Sequence, residues 1–581
     1  MLKLLSARLL VPFWALALAA CAVVPAPPPR TAATIGQLDS ALVGAGGIVS
    51  AADPRAAEAG ASMLRQSGSA TDAAIATMLA LTVVEPESSG IGGGGFLVLG
   101  DAKGTVTTID GRETAPLAAG PEWFFVDGKP LTVPAAIPGG RSVGVPGNLR
   151  LAAEAHGKHG KLKWQALFAP AIALARNGFS ITPRLNMMLE RAKRIGALDP
   201  EGRALFYDTA GAALPAGTLV KNPALATTLE NLASRGADSF YVGPNAQALA
   251  AEVRNSAVNP ASMTPGDLAP YQAKWRDPVC GTYRGHRICG MGPPSSGATT
   301  VLAILTQIER FDLTALGKAS PVAWHLIAES QRLAFADRDL YLADPDYVPV
   351  PTSGLIDPAY LAKRGASISP DKTLAVAAPG NPPGAPIMQV AGLTPEEHGT
   401  SHFVAVDREG NAASYTSTIE SIFGSGLVVG GYYLNNELTD FSLIPMRDGK
   451  KVANRVEAGK RPRSSMSPTL IYGPDGKLRA AIGAAGGATI IVQVAKAIVG
   501  MLDWGLTAQQ AIALPTLFSP GDTVFVEKGS SLEAMIPALH ALGHAKVQPR
   551  EASFKANAVE RVGTRWLGAA DPRSEGAAVA E

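Results

Sequence analysis

Residues 400–418, TSHFVAVDREGNAASYTST, constrain the fold more than any other stretch of this chain. Apolar and polar residues alternate over Ser401–Val406 and again over Ala412–Ser417, the period-two pattern of strands. Between them, Arg408-Glu409-Gly410 fits a three-residue hairpin loop with Gly410 in the left-handed position of its bulge. That loop fixes the register: Asp407 pairs with Asn411, and Thr400 falls opposite Thr418. Two hydroxyls then face each other across one strand pair. Taken alone, such a pair is common in ordinary sheets.

A second hairpin is legible in CGTYRGHRIC, Cys280–Cys289. A two-residue turn at Arg284-Gly285 makes Tyr283 face His286 and Cys280 face Cys289 as a non-hydrogen-bonded pair. The Cα atoms of such a pair approach to about 4.5 Å, within disulfide reach. Two buried free thiols are the alternative. The remaining cysteine, Cys21, ends MLKLLSARLLVPFWALALAAC. Lys3 and Arg8 precede an apolar run, Leu9–Ala20, that is too short for a bilayer core needing about 20 residues. It reads as a secretory signal, either cut at a small-residue site or, because Leu18-Ala19-Ala20-Cys21 resembles a bacterial lipoprotein signal, lipidated at Cys21. Residues 1–20 are then the signal and 21–44 a Pro/Ala-rich tether. Ala22 favours the outer membrane by resemblance to lipoprotein sorting. A soluble periplasmic protein is the alternative.

The rest of the chain mixes both periodicities. Ala51–Ala80 has Ala-rich helical character broken at Gly68, and SSGIGGGGFLVLG at Ser88–Gly100 leads to a strand-like Thr105–Asp110. The glycine run lacks the Gly-Lys-Ser/Thr of a phosphate loop and implies close backbone approach instead. Helical patterns fill Val145–Leu268 and Thr299–Gly365, and Ser369–Pro395 is Pro/Gly/Ala-rich, an exposed and flexible linker running to 399. Strand patterns resume at Thr400. The expected class is therefore α+β or layered α/β. Charged residues are 17% of the chain, and 51 basic residues balance 49 acidic ones without long runs, so no nucleic-acid footprint is visible. His156 and His159 in HGKHG, and His540 and His544 in HALGHA, suggest surface or capping histidines. Gly543 weakens a helix through the second pair, and no third ligand is near in sequence. No metal or cofactor is expected.

The segment HGTSHFVAVDREGNAASYTSTIESIFGSG resembles the small-subunit start of the γ-glutamyltransferases, within the N-terminal nucleophile hydrolase superfamily. So do SSGIGGGGF (Ser88–Phe96), DGRETAP (Asp110–Pro116), GPPSSG (Gly292–Gly297), LNNELTDFS (Leu434–Ser442), RPRSSMSPT (Arg461–Thr469), GAAGG (Gly483–Gly487) and DPRSEG (Asp571–Gly576), in family order. The resemblance implies a four-layer αββα sandwich, self-cleaved between Gly399 and Thr400 into a large subunit (45–399) and a small one (400–581). Thr400 would then be the nucleophile and its new α-amine the base. Thr418 would orient Thr400, and the backbone N–H groups of Gly486 and Gly487 would form the oxyanion hole. Arg112, Ser464 and Ser465 would hold the substrate α-carboxylate. Glu437 and Asp440 would hold its ammonium. Implied partners are glutathione and other γ-glutamyl compounds as donors, with water, amino acids or dipeptides as acceptors.

Two departures stand out. Glu420 occupies a position that is commonly asparagine, where a carboxylate strengthens ammonium binding or selects another donor. The stretch from Asp440 to Ser464 is shorter than in members with a lid, which favours hydrolysis. The rivals are a related glutaryl or cephalosporin acylase and, in another class, an uncleaved peptide-binding lipoprotein without turnover.

Overall fold

Local chemistry breaks the Ala-rich run into two helices. The computed structural model describes residues 43–44, 46–386, 390–392, 399–552 and 554–581. Asp53 caps the first helix, α1 (Pro54–Arg65), by accepting from Arg55 N, and Pro54 stands where no N–H is needed. After the break at residues 66–69, Ser69 and Asp72 form a capping box that starts α2 (Ala70–Val84). Every residue of α2 is buried, as befits a helix with apolar or small side chains all round. Gly60 of α1 meets it so closely that a Cβ there would lie 2.3 Å from Thr77 Oγ1.

Two seven-stranded sheets form the centre. In chain order their strands are β1 (Val43–Gly44), β2 (Ile48–Ala51), β3 (Gly94–Gly100), β4 (Val106–Gly111), β5 (Lys274–Arg276), β6 (Val279–Tyr283) and β7 (His286–Gly290). Then come β8 (Ser401–Val406), β9 (Ala412–Thr418), β10 (Thr469–Tyr472), β11 (Leu478–Ala485), β12 (Lys555–Val562), β13 (Arg565–Ala570) and β14 (Ala577–Ala580). One sheet has the order β14-β2-β8-β9-β3-β4-β5, the other β1-β13-β12-β11-β10-β7-β6. Alternation along β8 assigns the layers: Phe403 and Ala405 join the core around α1 and α2, whereas Val404 and Val406 face the second sheet. Beyond that sheet lie α3 (Gly297–Ile308), α4 (Pro321–Tyr341) and α5 (Thr489–Leu502). The result is the expected αββα sandwich.

The hairpin register is as expected from Ser401 opposite Ser417 to Val406 opposite Ala412, with Gly410 at φ 86°. Cys280 faces Cys289 with Cα atoms 4.1 Å apart and a disulfide between them. Both turn residues, Arg284 and Gly285, have positive φ. Two boundaries differ from the sequence reading. Val43–Gly44, placed at the end of the tether, pair with Trp566 and Leu567 as an edge strand. Ser369–Pro386 is mostly exposed coil, yet its start is fastened to α4: Leu374 N donates to Glu329 Oε2 at 2.6 Å and Gly380 N to Asp337 Oδ1 at 2.7 Å. The signal, Cys21 and most of the tether lie outside the described residues, as do 387–389 and 393–398.

Candidate active site

Thr400 directly precedes β8, and the register brings its side chain onto that of Thr418 at the end of β9. Their Oγ1 atoms are 3.1 Å apart, and both threonines are buried. Thr400 Oγ1 contacts the carbonyl oxygen of Gly399, and Thr418 Oγ1 reaches the same oxygen at 3.2 Å. Glu420 N donates to Thr418 Oγ1 at 2.8 Å, while Gly399 N donates to the Glu420 carbonyl at 2.6 Å. Both the carbonyl and the N–H of Gly399 are therefore held. The glycine run makes room for this arrangement: a Cβ on Gly93 would lie 1.9 Å from Thr418 O, and one on Gly92 2.0 Å from Tyr433 O. Close backbone approach, rather than phosphate binding, is what these glycines serve.

Glu420 leads from the threonines to the charged groups. Its carboxyl is bonded to Asn436 Nδ2 and to Ser421 Oγ, and Asn436 precedes the 3₁₀ turn Glu437–Asp440. Arg112, at the end of β4, ion-pairs with both Glu437 and Asp440. The guanidinium also donates to Pro462 O (3.2 Å) and Arg463 O (3.0 Å), immediately before Ser464 and Ser465. Ser464 bridges to Ser295 of the GPPSSG segment, whose Ser296 donates to Ser464 O through its N–H and its hydroxyl, both at 2.7 Å. Arg338 of α4 donates to Ser465 Oγ at 2.7 Å. The predicted Arg112, Glu420, Glu437, Asp440, Ser464 and Ser465 thus form one connected group.

Gly486 and Gly487 stand between β11 and α5 with φ 124° and 60°. β11 crosses β8 so tightly that a Cβ on Gly483 would lie 2.4 Å from the His402 ring. Ala485 pairs with Lys555, whose Nζ reaches Ser401 Oγ at 3.2 Å. The glycine pair therefore follows a strand end that Lys555 ties to Ser401, the residue after Thr400.

Burial dominates the electrostatics. It lifts Glu420 and Glu437 well above the usual carboxyl range; Asp440 and Glu437 add to the effect at Glu420, whereas Arg112 opposes it at Glu437. Three groups were missed in the sequence. Glu113, beside Arg112 in the same motif, is buried and pushed up to about 7 by burial. Its adjacency to Arg112 was the available signal. Glu85 and Lys555 form a buried pair (3.0 Å) that also bonds Ser401. Burial works to raise Glu85, but the Lys555 ammonium, the Ser401 hydroxyl and the Arg184 charge together outweigh it, holding that carboxyl low. These two are 470 residues apart, so no local pattern connects them.

The histidine reading needs correction. His540 does cap, its Nδ1 lying 2.7 Å from His544 O at the end of α6 (Ile536–Ala541). His544 is not at the surface: it is buried against His325 and Glu329 of α4. Gly543, at φ 97°, turns the chain inward there.

A threonine hydroxyl set on its own preceding carbonyl, inside an αββα sandwich, defines the class of N-terminal nucleophile hydrolases. The chain belongs to the gamma-glutamyltranspeptidase family, which matches residues 56–581. It is 35% identical over 568 residues to the glutathione hydrolase proenzyme of Bacillus subtilis strain 168, covering 95% of this chain and 94% of that one. Among solved structures it resembles the cephalosporin acylase of Bacillus halodurans, with TM-score 0.82 and 27% identity over 94% of this chain and 97% of that one. It also resembles the Helicobacter pylori gamma-glutamyltranspeptidase, with TM-score 0.53 and 37% identity over 55% of this chain and 91% of that one.

Proposed function

We propose that the protein is a γ-glutamyltransferase and glutathione hydrolase that matures by cutting its own chain before Thr400. The observation that carries this reading is the convergence of the Thr400 and Thr418 hydroxyls on Gly399 O. Thr400 Oγ1 attacks the Gly399 carbonyl carbon while Thr418 polarises its oxygen. The C–N bond breaks, the Thr400 nitrogen takes the hydroxyl proton, and Gly399 is left as an ester on Thr400. Water then releases the Gly399 carboxylate and restores the hydroxyl beside a free α-amine. That amine, with an ordinary pKa near 7.7–8.0, is the base for later turnovers.

In turnover, Thr400 attacks the γ-carbonyl of the donor, the amine part leaves, and a γ-glutamyl ester forms. The N–H groups of Gly486 and Gly487 stabilise the oxyanion. Arg112, Ser464 and Ser465 bind the α-carboxylate; Glu437, Asp440 and Glu420 bind the ammonium. Water or an amino-acid or dipeptide amine takes the acyl group. The exposed part of the short 440–464 stretch is a small hairpin, Met446–Arg447 with Lys450–Lys451, which supports substantial hydrolysis. Strong acceptor stimulation with little hydrolysis would refute that part. A lipidated Cys21 would hold the enzyme on the periplasmic side of a bacterial membrane, the outer one favoured by Ala22. No helix among the described residues is long and apolar enough to cross a membrane.

Two experiments test the reading. A denaturing gel of active protein shows two fragments, and Thr400→Ala shows one; a single full-length band in active protein rules out the mechanism. The likeness to a cephalosporin acylase supports a second reading, so γ-glutamyl and glutaryl donors should be compared directly. Preference for the glutaryl donor would favour the acylase.

A further inference from the structure

We propose that His325, Glu329 and His544 form a binding site for one zinc-class divalent cation, remote in function from the threonine centre. His325 and Glu329 lie one turn apart on α4, and His544 follows α6. One potential ligand atom from each lies within 4.8 Å of the others, and all three residues are buried. Two imidazoles and a carboxylate are a donor set suited to zinc.

The hydrogen bonds define which atoms are open. His325 Nε2 lies 2.8 Å from Ser369 O, which can only accept, so Nε2 carries the hydrogen and Nδ1 presents a lone pair. A ligating histidine is held in this way, with its far nitrogen on a backbone carbonyl. That Nδ1 faces His544 Nε2 at 2.7 Å, so in the metal-free protein a proton sits between them on His544. A cation takes the place of this proton. Zn–N bonds of about 2.0–2.1 Å in tetrahedral geometry set two nitrogens about 3.3 Å apart, so the rings need open by only about 0.6 Å. The displaced proton passes to His544 Nδ1, leaving the ring neutral and directed toward Glu329 Oε1, 3.9 Å away.

Glu329 is already fixed in place. Its Oε1 accepts from Arg332 (2.8 Å) and Thr373 (2.6 Å) and its Oε2 from Leu374 N (2.6 Å), which hold the carboxylate beside the two histidines. The Arg332 charge is shared with Asp522 at 2.9 Å, so it is not set solely against a cation. A water completes a four-coordinate site.

The position gives the site a consequence, which rests on the cleavage proposed above. His325 and Glu329 precede Gly399 and His544 follows it, so the cation would join the two chains after maturation. It would also pin the start of the segment leading to the cut, since Thr373 N donates to Leu542 O at 2.8 Å beside His544.

The test uses the full-length protein, stripped with a chelator and titrated with Zn2+ by calorimetry and with Co2+ by visible absorption. One Zn2+ per chain at sub-micromolar affinity is expected, with the intense absorption of four-coordinate Co2+. His325→Gln and His544→Gln should each weaken binding by about 100-fold or more. No stoichiometric binding, an octahedral Co2+ spectrum, or unchanged affinity in folded variants would overturn the proposal and leave a hydrogen-bonded histidine pair. Should the variants fail to fold, the Co2+ spectrum of the unmutated protein decides. Thr400→Ala should bind the metal equally well, which separates failure of this site from failure of self-cleavage.

Discussion

Replacing Thr418 with valine tests the role of its hydroxyl while keeping the shape of the side chain. The oxygen accepts Glu420 N at 2.8 Å, lies 3.1 Å from Thr400 Oγ1 and donates to Gly399 O at 3.2 Å. Thr418 is 2% exposed, so water has no ready access to replace the lost group. Leaving the Glu420 N–H buried and unpaired costs about 1–3 kcal/mol of stability. Losing a donor aimed at the oxygen on which charge develops costs about 10²–10³ in rate, or roughly 3–4 kcal/mol in the barrier. Self-cleavage of Thr418→Val should therefore slow by about 10²–10³, followed as loss of the full-length band with time on denaturing gels. Thr418→Ser keeps the oxygen and should mature at a rate much closer to that of the parent. A thermal melt monitors folding, so a slow folded variant is distinguished from an unfolded one. Maturation of Thr418→Val at the parental rate would refute the reasoning, because the hydroxyl would then be a packing group and no more.

Other consequences follow from buried charge and from the hairpin. Lys555→Met should destabilise the protein by about 3–5 kcal/mol, because Glu85 is left buried without its counter-charge; adding Glu85→Gln should recover much of the loss in a urea melt. Glu113 titrates near 7 in the folded chain against 4.5 as its ordinary value, so the folded state holds its proton more tightly. Its stabilising contribution is complete below 4.5 and is lost as pH rises toward about 7, so the urea midpoint of Glu113→Gln should fall less than the parent's across that window. An equal fall in both would count against the assignment. Reducing the Cys280–Cys289 bond should cost about 2–3 kcal/mol, seen as a lower melting temperature in reductant but not in a Cys280→Ser/Cys289→Ser protein.

The features legible in the sequence were those set by local geometry. Gly410 fixed one hairpin and Arg284-Gly285 the other, because a turn of known length leaves a single register. The Thr400–Thr418 pairing followed from counting along the first. Family segments supplied Arg112, Glu437, Asp440 and the serines, but not how they meet. That Arg112 pairs with both acids arises from β4 and the 437–440 turn being packed together across 325 and 328 residues of sequence. For the same reason Glu85–Lys555 and His325–His544 were invisible: neither partner has a pattern in its own segment that marks the other. His544 shows the limit well: it reads as a surface or capping histidine, yet Gly543 turns it inward against α4.

The charge balance of the site bears on what it binds. Arg112 faces Glu437 and Asp440, with Glu113 and Glu420 close behind, so carboxyl groups outnumber the guanidinium in a buried space. Burial answers this by holding Glu420, Glu437 and Glu113 toward their protonated forms. In the proposed binding mode, a γ-glutamyl head would bring a carboxylate for Arg112 and an ammonium for the acids it leaves. Arg112 would exchange its two internal ion pairs for the substrate carboxylate, and the acids would face the ammonium, any that ionise releasing their protons to solvent. A glutaryl group brings a carboxylate alone: it would take Arg112 from Glu437 and Asp440 and offer nothing in return. By this reasoning Glu420 sharpens the selection for an ammonium-bearing donor, and Glu420→Gln should raise KM for a γ-glutamyl amide more than it lowers kcat. A larger gain toward glutaryl donors than loss toward γ-glutamyl ones would place Glu420 as a gate against the first. No change in either KM would remove it from recognition altogether.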